Sequence, residues 1–463
     1  MKIPVPDEIL PADRLGRVHL VGIGGAGLSG IARLMHQAGV VVSGSDAHGS
    51  AVVDALRSEG ITVHVGHDAR HVDGVDTVIA TTAAREDNPE IVAALERGLR
   101  VWPRSAGLQS VLLDKDVVAV AGTHGKTTTT AMTVMALREA GVDLTFAIGA
   151  EVAALGTNAH LGTSRIAVVE ADESDGAFLV YTPTIGVITN IDADHLDHWG
   201  TEEAYEAAFA QFARRASVVL TDRDDLATRT VGFTDDARLR GHDLVIEGGG
   251  TRFRVSSDGA DLGTVELAVP GRHYAQDALL GLGVGIELGL DPDAIIRGLA
   301  RHQGAKRRME LVGSVGEAER AIRVYDSYAH HPSEIRGDLE AARSLVGVDQ
   351  RLLVCFQPHL VSRTRLFGEQ MGRELGAADE VVVMDVYVAR EDPDPAVTGA
   401  LVAGSVPLAP ERVRFVPDRA DVVPVLAGLA RPGDLVLTLG AGDVTALALP
   451  LLAALAERGD GEG

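Results

Sequence analysis

The segment 122–127, Gly-Thr-His-Gly-Lys-Thr, constrains the fold of this chain more than any other feature. The apolar run at residues 117–121 predicts a buried strand before it, and residues 128–140 predict a helix after it. Backbone N–H groups at such a turn and at the helix N-terminus hold phosphate oxygens, a Lys reaches the outer phosphates, and a Thr hydroxyl ligates Mg²⁺. The pattern therefore predicts a nucleotide triphosphate site inside an α/β domain.

The glycine spacing of this segment is shorter than in the ordinary P-loop, because Val120 stands where the first Gly would be. The shorter form is narrower in distribution, so it restricts the class of protein further. The alternative is a glycine turn that only joins a strand to a helix. Residues expected to contact ATP are Gly122, Thr123, His124, Gly125, Lys126, Thr127 and Thr128.

The size and charge of the chain exclude several classes of protein. A length of 463 residues with 46% hydrophobic content predicts two to four domains. The net charge of -24 argues against an exposed nucleic-acid surface. Cys355 is the single cysteine and excludes an intrachain disulfide. Without a signal segment or an apolar run near 18 residues, we expect a cytoplasmic protein that does not enter membranes. We also expect a monomer or weak dimer.

Strand-like and helical segments alternate along the chain and fall into three blocks. This alternation favours parallel sheets covered by helices on both faces, which is an α/β fold. The first block closes near Asp114, the second begins at Asp116, and the third starts near Glu310 and ends in a frayed tail after Glu457. Residues 241–269 predict a small antiparallel insertion, with turns at residues 248–250 and 258–259.

Near the N-terminus, a second glycine-rich turn follows a predicted strand and precedes a helix. Asp46 lies about 20 residues beyond it, at the end of the next strand, where a carboxylate reaches a ribose hydroxyl. Such a turn binds a diphosphate, which UDP or a nicotinamide dinucleotide would both supply. A purely structural turn is the other interpretation. Residues expected at the diphosphate nucleotide are Gly22, Gly24, Gly25, Ala26, Gly27 and Asp46.

Two acidic loops follow predicted strands in the second block. Residues 170–175 come directly after one strand and contain four carboxylates, including Glu173. Residues 189–198 come after the predicted strand at residues 185–188 and contain Asn190 and His195. Mg²⁺ binds few protein carboxylates together with phosphate oxygens and water, so one or two of these groups could complete a site begun by Thr127. Solvated loop charges are the alternative for each individual carboxylate.

The third block has two comparable polar loops, at residues 325–332 and 356–364, which follow predicted strands at residues 321–324 and 352–356. Each combines His with a group able to bind a carboxylate or an amine. The guanidinium of Arg363 in particular could hold a carboxylate bidentately. Each loop could equally be a polar surface turn.

In this order, the motifs resemble the Mur ligase family over nearly everything from Gly22 to Asp443. Collectively they are highly specific, although the first glycine turn alone is not. The matching segments begin at Gly22 (GIGGAGLSGIA), Gly122 (GTHGKTTTTAM), Glu170 (EADESD), Thr189 (TNIDADHLD), Lys306 (KRRMELVG), Tyr325 (YDSYAHHPSEI), Phe356 (FQPHLVSRT), Asp385 (DVYVARE) and Leu439 (LGAGD).

The resemblance implies three domains and a reaction. Residues 1–114 would form a Rossmann-like domain that binds the UDP-sugar, residues 115–308 a central P-loop ATPase domain with a parallel sheet and a small antiparallel portion, and residues 309–463 a Rossmann-like domain for the amino acid. The motifs are most similar to those of members that join L-alanine to UDP-N-acetylmuramate. There, ATP phosphorylates the sugar carboxylate, and the amine attacks the acyl phosphate to release ADP and phosphate.

The resemblance also implies residue roles. Lys126 would neutralise phosphate charge, Thr127 and Glu173 would hold one Mg²⁺ and His195 a second, and Asn190 would lie near the γ-phosphate. The remaining expected roles are phosphate contact by Arg308, nucleotide contact by His273 and Asp277, ribose contact by Asp326, and contact with alanine or acyl phosphate by His330, His359 and Arg363.

Three departures from the family pattern are visible. Tyr274 and Asp277 stand where the family usually shows Asn facing adenine, and Asp cannot donate as an amide does. Ser327 replaces a second Asp. Residues 200–215 contain no Lys, so the carbamylated lysine of several wider relatives is not available.

Three alternative functions remain open on the sequence. A murein tripeptide ligase would act on the same sugar nucleotide with a different acceptor. A nicotinamide-dependent oxidoreductase would use the first glycine turn, leaving Lys126 without a role. A catalytically silent protein that senses nucleotide would fit Asp277.

Overall fold

The computed structural model describes residues 3–81, 84–152, 154–247, 249–304, 307–317, 320–347, 349–389 and 391–460. Gly248 in a predicted turn, and Lys306 and Arg390 in the matching segments, lie outside these ranges. The chain divides into two compact units, each made of several segments. The first unit comprises Met1–His242, Arg254–Val265 and Gln276–Arg301, and the second comprises Asp243–Phe253, Glu266–Ala275 and His302–Gly463.

The N-terminal part of the first unit is a five-stranded parallel sheet in the order β3-β2-β1-β4-β5. The strand order reverses between β1 and β4, and open α/β sheets bind ligands at such a point. All residues of β1 and β4 are buried because helices cover both faces. The elements are β1 Val18–Val21, α1 Ala26–Gln37, β2 Val42–Asp46, α2 Ala51–Ser58, β3 Thr62–Val65, β4 Thr77–Ala80, α3 Pro89–Glu96, β5 Arg100–Pro103 and α4 Arg104–Leu112.

The central sheet has ten strands in the order β15-β14-β13-β12-β11-β10-β6-β9-β7-β8. Strand β6 pairs in parallel with both β9 and β10, and β8 pairs antiparallel with β7. Its elements are β6 Asp116–Ala121, α5 Lys126–Glu139, β7 Thr145–Val152, β8 Thr157–His160, β9 Ile166–Glu170, β10 Ile185–Ile188, α6 Leu196–Trp199, α7 Glu202–Arg215, β11 Val218–Thr221, β12 Arg229–Gly232, β13 Leu239–Glu247, β14 Gly250–Ser257, β15 Ala260–Leu267, α8 Arg272–Glu287 and α9 Pro292–Leu299.

The third sheet belongs to the second unit and has the order β16-β17-β21-β18-β19-β20. Edge strand β16 is antiparallel to β17, and the other pairs are parallel. Its elements are β16 Glu310–Val315, β17 Ile322–Ser327, α10 Pro332–Ser344, β18 Leu352–Phe356, α11 Val361–Leu375, β19 Glu380–Val383, α12 Gly399–Ala403, β20 Val413–Phe415, α13 Arg419–Leu429, β21 Leu435–Leu439 and α14 Ala448–Asp460.

The predicted α/β fold is confirmed, with parallel sheets and a smaller antiparallel portion. Predicted strands at residues 185–188 and 352–356 match the structure at both ends. The expected antiparallel insertion corresponds to β13, β14 and β15. The two-residue connection from Ser257 to Ala260 is too short for a parallel crossover.

Three predictions of where an element begins or ends were wrong. Helix α5 begins at Lys126, two residues early, because Gly125 takes a left-handed φ of 79° and serves as its N-cap. Strand β17 continues through Ser327, where a loop was predicted, because it pairs with β21 as far as Leu439. The expected frayed tail is helical to Asp460. Across the described ranges, no helix is long and apolar enough to cross a membrane.

His302 is a buried polar residue without compensation. It is 1% exposed, and within the described residues neither ring nitrogen makes a hydrogen bond. Burial lowers the pKa of His302 to about 4 from its ordinary value of 6.5. An uncharged imidazole held in apolar surroundings costs free energy, because its hydrogen bonds to water are lost on folding.

We therefore expect His302→Leu to raise the apparent free energy of unfolding by about 1–3 kcal/mol at pH 7.5. Between pH 6.5 and about 4 the unfolded imidazole binds a proton that the folded one excludes. The free energy of unfolding therefore decreases as the pH is lowered through that range. The variant should lose less stability than the wild type there. Urea denaturation at pH 7.5 and 5.5 measures both effects, with exposed His48→Leu as the control. A variant less stable than wild type at both pH values would contradict this account.

Candidate functional site

The glycine turn of residues 122–125 leaves the carboxyl end of β6, between the ends of β9 and β10. Gly122 has a φ of 139°, and a Cβ atom there would collide with Thr189 Oγ1. Gly125 has its left-handed φ of 79° at the N-cap of α5. Glycines at these two positions therefore allow the turn to lie against the loop after β10 and expose the first N–H groups of α5.

Lys126 folds back over the turn that precedes it. Its Nζ donates to the carbonyl oxygens of Gly122 and Thr123 at 2.6 and 3.0 Å. It also lies 2.8 Å from Glu173 Oε2. Thus the ammonium group is held at the mouth of the turn, where the outer phosphates of a nucleotide would need it.

Asn190 holds the glycine turn through a two-point contact with His124. Its Oδ1 accepts from the His124 backbone N–H at 2.9 Å, and its Nδ2 donates to the His124 carbonyl at 3.0 Å. The hydroxyl of Thr123 lies 2.9 Å from the Tyr205 hydroxyl. The loop after β10 therefore fixes the phosphate-binding turn from outside, a task that the sequence pattern alone did not reveal.

Two carboxylates, one at the end of β9 and one in the loop after it, contact the first two residues of α5. Thr127 Oγ1 donates to Glu170 at 3.0 Å, whereas Glu173 contacts Lys126. His195 Nε2 lies 3.7 Å from Glu173 Oε1. The predicted metal ligands Glu173 and His195 are therefore brought together, while Glu170 is the carboxylate beside Thr127. Hydroxyl and carboxylate oxygens are the ligands that Mg²⁺ prefers.

Glu173 is fully buried, and its electrostatic environment is unusual. Burial raises the pKa of Glu173 to about 8, and the ammonium of Lys126 opposes that rise. The pKa of Lys126 is also raised, because attraction to Glu173 and Asp172 outweighs the burial that lowers it. A buried carboxylate that depends on one ammonium for its charge is well suited to accept a divalent cation when one is available.

Two further predicted nucleotide residues lie beside α5. Thr128 is buried in the first turn of the helix. Asp277 accepts a hydrogen bond from Thr129 Oγ1 at 2.9 Å, and its Oδ1 lies 2.7 Å from where a Gly125 Cβ would be. Asp277 therefore packs against the glycine turn itself. Its expected contact with adenine remains a prediction.

The glycine turn after β1 has the geometry expected for a diphosphate. Gly22 has a left-handed φ of 85°, and Gly25 is the N-cap of α1. The backbone N–H of Gly24 donates to Asp46 Oδ2 at 2.9 Å. This leaves the first N–H groups of α1, from Ala26 and Gly27 onward, at the carboxyl edge of the first sheet.

A cavity of about 220 Å³ lies within the first unit, and elements of both sheets line it. Ala26 and Gly27 at the start of α1 line one side, and Arg104 of α4 lines another. Glu170, the last residue of β9, and Asp172 in the loop after it complete the lining. Glu170, which lines the cavity, also accepts a hydrogen bond from Thr127 in the first turn of α5.

The second unit gathers several predicted residues beyond the ends of β17 and β18. The rings of His330 and His359 are 5.8 Å apart, and His359 stacks on Tyr387 at 5.8 Å. His330 Nδ1 lies 2.9 Å from the carbonyl of Tyr328. Arg363 is buried in the first turn of α11, which begins directly after the same loop. The two polar loops are therefore adjacent, as expected for one binding site.

Arg308 and His273 belong to a half-buried group of polar side chains in the second unit. Arg308 Nη1 lies 3.4 Å from Glu334 Oε1, and the Tyr274 hydroxyl donates to the Arg308 carbonyl at 3.1 Å. His273 Nε2 is 3.9 Å from Asp338 Oδ1. Burial lowers the pKa of His273 to about 4 and raises that of Asp338 to about 7.

Asp326, expected to contact a ribose, lies in strand β17 rather than in a loop. Its Oδ1 accepts from Thr438 at 2.6 Å and its Oδ2 from Thr445 at 2.7 Å. Both oxygens are therefore already engaged within the second unit. Contact with a ribose remains a prediction and would require one of them to accept a further hydrogen bond.

Sequence reasoning missed two residues that the structure places at the cavity, Glu170 and Arg104. Glu170 was the first of the four carboxylates directly after a predicted strand, but it was not singled out as a site residue. Arg104 gave no local signal, since it lies outside every glycine turn and polar loop. Its significance depends on tertiary contacts with Asp172 and Asp175.

Three family models match successive parts of the chain. "Mur ligase family, catalytic domain" matches residues 17–115. "Mur ligase middle domain" matches residues 120–285. "Mur ligase, glutamate ligase domain" matches residues 307–442. Together they cover most of the chain, in the same order as the motifs.

Individual relatives match over almost their whole length. A UDP-N-acetylmuramate–L-alanine ligase of a Nocardioides species is 57% identical over 452 residues, which are 96% of this chain and 98% of the relative. One from Kineococcus radiotolerans is 48% identical, covering 96% and 97%. The solved structure of a UDP-N-acetylmuramate–alanine ligase from Thermotoga maritima has a TM-score of 0.79 at 29% identity, covering 96% of this chain and 100% of that one.

Gly122→Ala should abolish nucleotide binding at the turn after β6, because the added Cβ collides with Thr189 and the φ of 139° is strained for alanine. Titration with a fluorescent ADP analogue measures the binding. Gly141→Ala is the control, since its φ of 83° imposes comparable backbone strain but no atom lies within 4 Å of the new Cβ. Binding by Gly122→Ala at wild-type affinity would mean that this turn is not the nucleotide site.

Proposed function

The chain belongs to the Mur ligase family, and we propose on that premise that it joins L-alanine to UDP-N-acetylmuramate at the expense of ATP. Residues 1–114 bind the sugar nucleotide, residues 115–308 bind ATP, and residues 309–463 bind the amino acid. The reaction releases ADP and phosphate. The names of the closely similar relatives, which match over nearly full length, support the choice of acceptor and donor.

The observation that carries this proposal is the cavity that has the start of α1 on one side and Glu170, the partner of Thr127, on the other. It begins at the helix N-terminus that suits a diphosphate and ends at Glu170, which touches Thr127 beside the triphosphate turn. An oxidoreductase would not need a second phosphate-binding turn at the far end of its cavity. A kinase-like attack of a sugar carboxylate on a γ-phosphate does need both.

In the first chemical step, two anionic groups must approach each other. Lys126 holds its charge at the mouth of the triphosphate turn and reduces their repulsion. The N–H groups of α5 orient the phosphates, and Asn190 keeps the turn in place through His124. The muramoyl carboxylate, presented through the cavity, attacks the γ-phosphorus of ATP. An acyl phosphate forms as the bond to the ADP leaving group breaks.

Mg²⁺ would be held by oxygen atoms of Thr127, Glu170 and Glu173, with His195 close to Glu173. When bound, the cation supplies positive charge to the phosphate oxygens during transfer. Glu173 pairs with Lys126 at 2.8 Å, so this carboxylate would share its negative charge between the ammonium and a bound cation. Glu170 joins the proposed ligands because of its hydrogen bond with Thr127.

The second step requires an amine to attack the acyl phosphate. Arg363 binds the carboxylate of L-alanine. His330 and His359 lie in the two polar loops that receive the amino acid. Arg308 contacts phosphate oxygens, while His273 and Asp277 contact the nucleotide base and Asp326 its ribose. The free amine of alanine displaces phosphate from the acyl carbon, forming the amide.

Phosphate release by the purified chain with ATP, Mg²⁺ and UDP-N-acetylmuramate tests the function directly. Reactions are run with L-alanine, glycine, L-serine or murein tripeptide as the acceptor, and without any acceptor. We expect release that depends on L-alanine. Dependence on the tripeptide alone would assign the chain to the recycling reaction instead, and no release under any condition would refute ligase activity.

Lys126→Ala should reduce L-alanine-dependent phosphate release by on the order of a thousandfold, because it removes the ammonium that lies against the carbonyls of Gly122 and Thr123. The chain has only four Lys, so a matched control is simple to choose. Lys115 contacts the carbonyls of Gly162 and Ser164 and does not touch the turn. Lys115→Ala should therefore retain activity. An equal loss in both variants would indicate general destabilisation rather than a catalytic role for Lys126.

Arg363→Ala should raise the KM for L-alanine by about 10- to 100-fold while changing the KM for ATP little, because it removes a charged partner of the amino-acid carboxylate. Steady-state phosphate release measures both constants. Arg365, two residues later on α11, is exposed and pairs with Asp394, so Arg365→Ala is the control. Parallel increases in both KM values would place Arg363 outside the amino-acid site.

A further inference from the structure

Arg104 occupies a distinctive place in the cavity of the first unit. Among the described residues that line this cavity, it is the only cationic side chain. The other charged lining residues are Glu170 and Asp172, both of which repel an anionic ligand. A ligand that carries a diphosphate would therefore enter a space where one guanidinium provides the compensating side-chain charge.

The guanidinium of Arg104 is held at one end and open at the other. Its Nη2 donates to Asp172 and, at 3.3 Å, to Asp175. No described residue accepts a hydrogen bond from Nε or Nη1, and Nε is shielded from solvent. Three of its five N–H bonds therefore lack a protein acceptor, while the two acids fix the orientation of the plane.

The open side of the guanidinium lies beside the start of α1. A Cβ added to Gly27 would be 3.2 Å from Arg104 Nη1, so the absence of a side chain at Gly27 lets the arginine approach the helix. The first N–H groups of α1 and this Nη1 consequently border the same part of the cavity. Helix N–H groups on one side and a guanidinium on the other form a suitable clamp for phosphate oxygens.

We propose that Arg104 binds the diphosphate of the sugar nucleotide and is a substrate-binding residue of the reaction. The inference rests on the proposed function and deepens it, because it assigns the side-chain cation that complements the α1 N-terminus. Asp172 and Asp175 act as positioning residues, since they orient Arg104 rather than contact the ligand. The muramoyl carboxylate then extends past Arg104 toward Glu170 and the triphosphate turn.

Arg33 provides a matched control for this proposal. It also connects α1 to the central sheet, through a 2.6 Å hydrogen bond from Nη1 to Asn158 Oδ1, and it pairs with Glu59. Unlike Arg104, it does not line the cavity. Arg33→Gln thus removes an arginine between the same parts of the first unit without changing the proposed diphosphate site.

The test measures binding by calorimetry without ATP, using competition where affinity is low. The ligands are UDP-N-acetylmuramate, UDP-N-acetylglucosamine, which has the diphosphate but no lactyl carboxylate, and MgADP. We expect Arg104→Gln to weaken both sugar nucleotides to a similar extent, by roughly 10- to 100-fold. Arg104→Lys should fall between Gln and wild type, because it keeps the charge but loses the planar fork. MgADP binding and all affinities of Arg33→Gln should match wild type.

Three results would overturn the proposal. Weakening of UDP-N-acetylmuramate alone would assign Arg104 to the lactyl carboxylate. Unchanged affinity for both sugar nucleotides would remove Arg104 from the substrate site. Equal weakening of MgADP would indicate a structural disturbance around Asp172. If wild-type protein neither binds UDP-N-acetylmuramate nor turns it over, the proposed function itself fails. If the wild type does turn it over in the phosphate-release assay, an unexpected binding result concerns only the role of Arg104.

Discussion

The close packing of Gly122 against Thr189 is the contact on which the rest of the candidate site depends. It brings the loop after β10 against the turn after β6, so that Asn190 can bind both backbone groups of His124. With the turn fixed in this way, Lys126 folds back over it, and its Nζ lies 2.8 Å from Glu173 in the loop after the neighbouring strand β9. Three adjacent parallel strands, β10, β6 and β9, thus contribute to one phosphate-binding edge. Their carboxyl ends meet there because parallel strands all end on the same side of a sheet.

The cations in this region are all paired with acids, in a chain that carries a net charge of -24. Lys126 pairs with Glu173, and the single charge of Arg104 is shared between Asp172 and Asp175. Each cation is therefore partly engaged by acids before any substrate arrives. An anionic ligand must compete with these acids or use donors that they leave open, and the open side of Arg104 provides the second possibility. Such pairing also avoids leaving buried cations without a partner, which would be costly.

Much of the fold could be predicted from the sequence, because each central strand is a short apolar run bounded by a polar turn. The strands at residues 185–188 and 352–356 were located to the residue for this reason. Local patterns failed where a tertiary contact extended an element: β17 runs on through Asp326 because β21 offers it a partner and Thr438 and Thr445 satisfy its carboxylate. Likewise, nothing in the sequence around His302 indicates that both of its nitrogens are buried without an acceptor or donor in the described part of the chain.

The sequence by itself determined the two glycine turns, the alternation of strands and helices, and the motif order shared with the Mur ligase family. These are properties of short segments, in which glycine, apolar period and helix start are encoded within a few residues. Only the tertiary structure decided that Glu170 rather than Glu173 lies beside Thr127, that Asp277 rests on Gly125, and that Arg104 stands next to Gly27. Each of these contacts joins residues more than 40 positions apart, and which of several similar carboxylates or arginines makes it depends on strand order and packing.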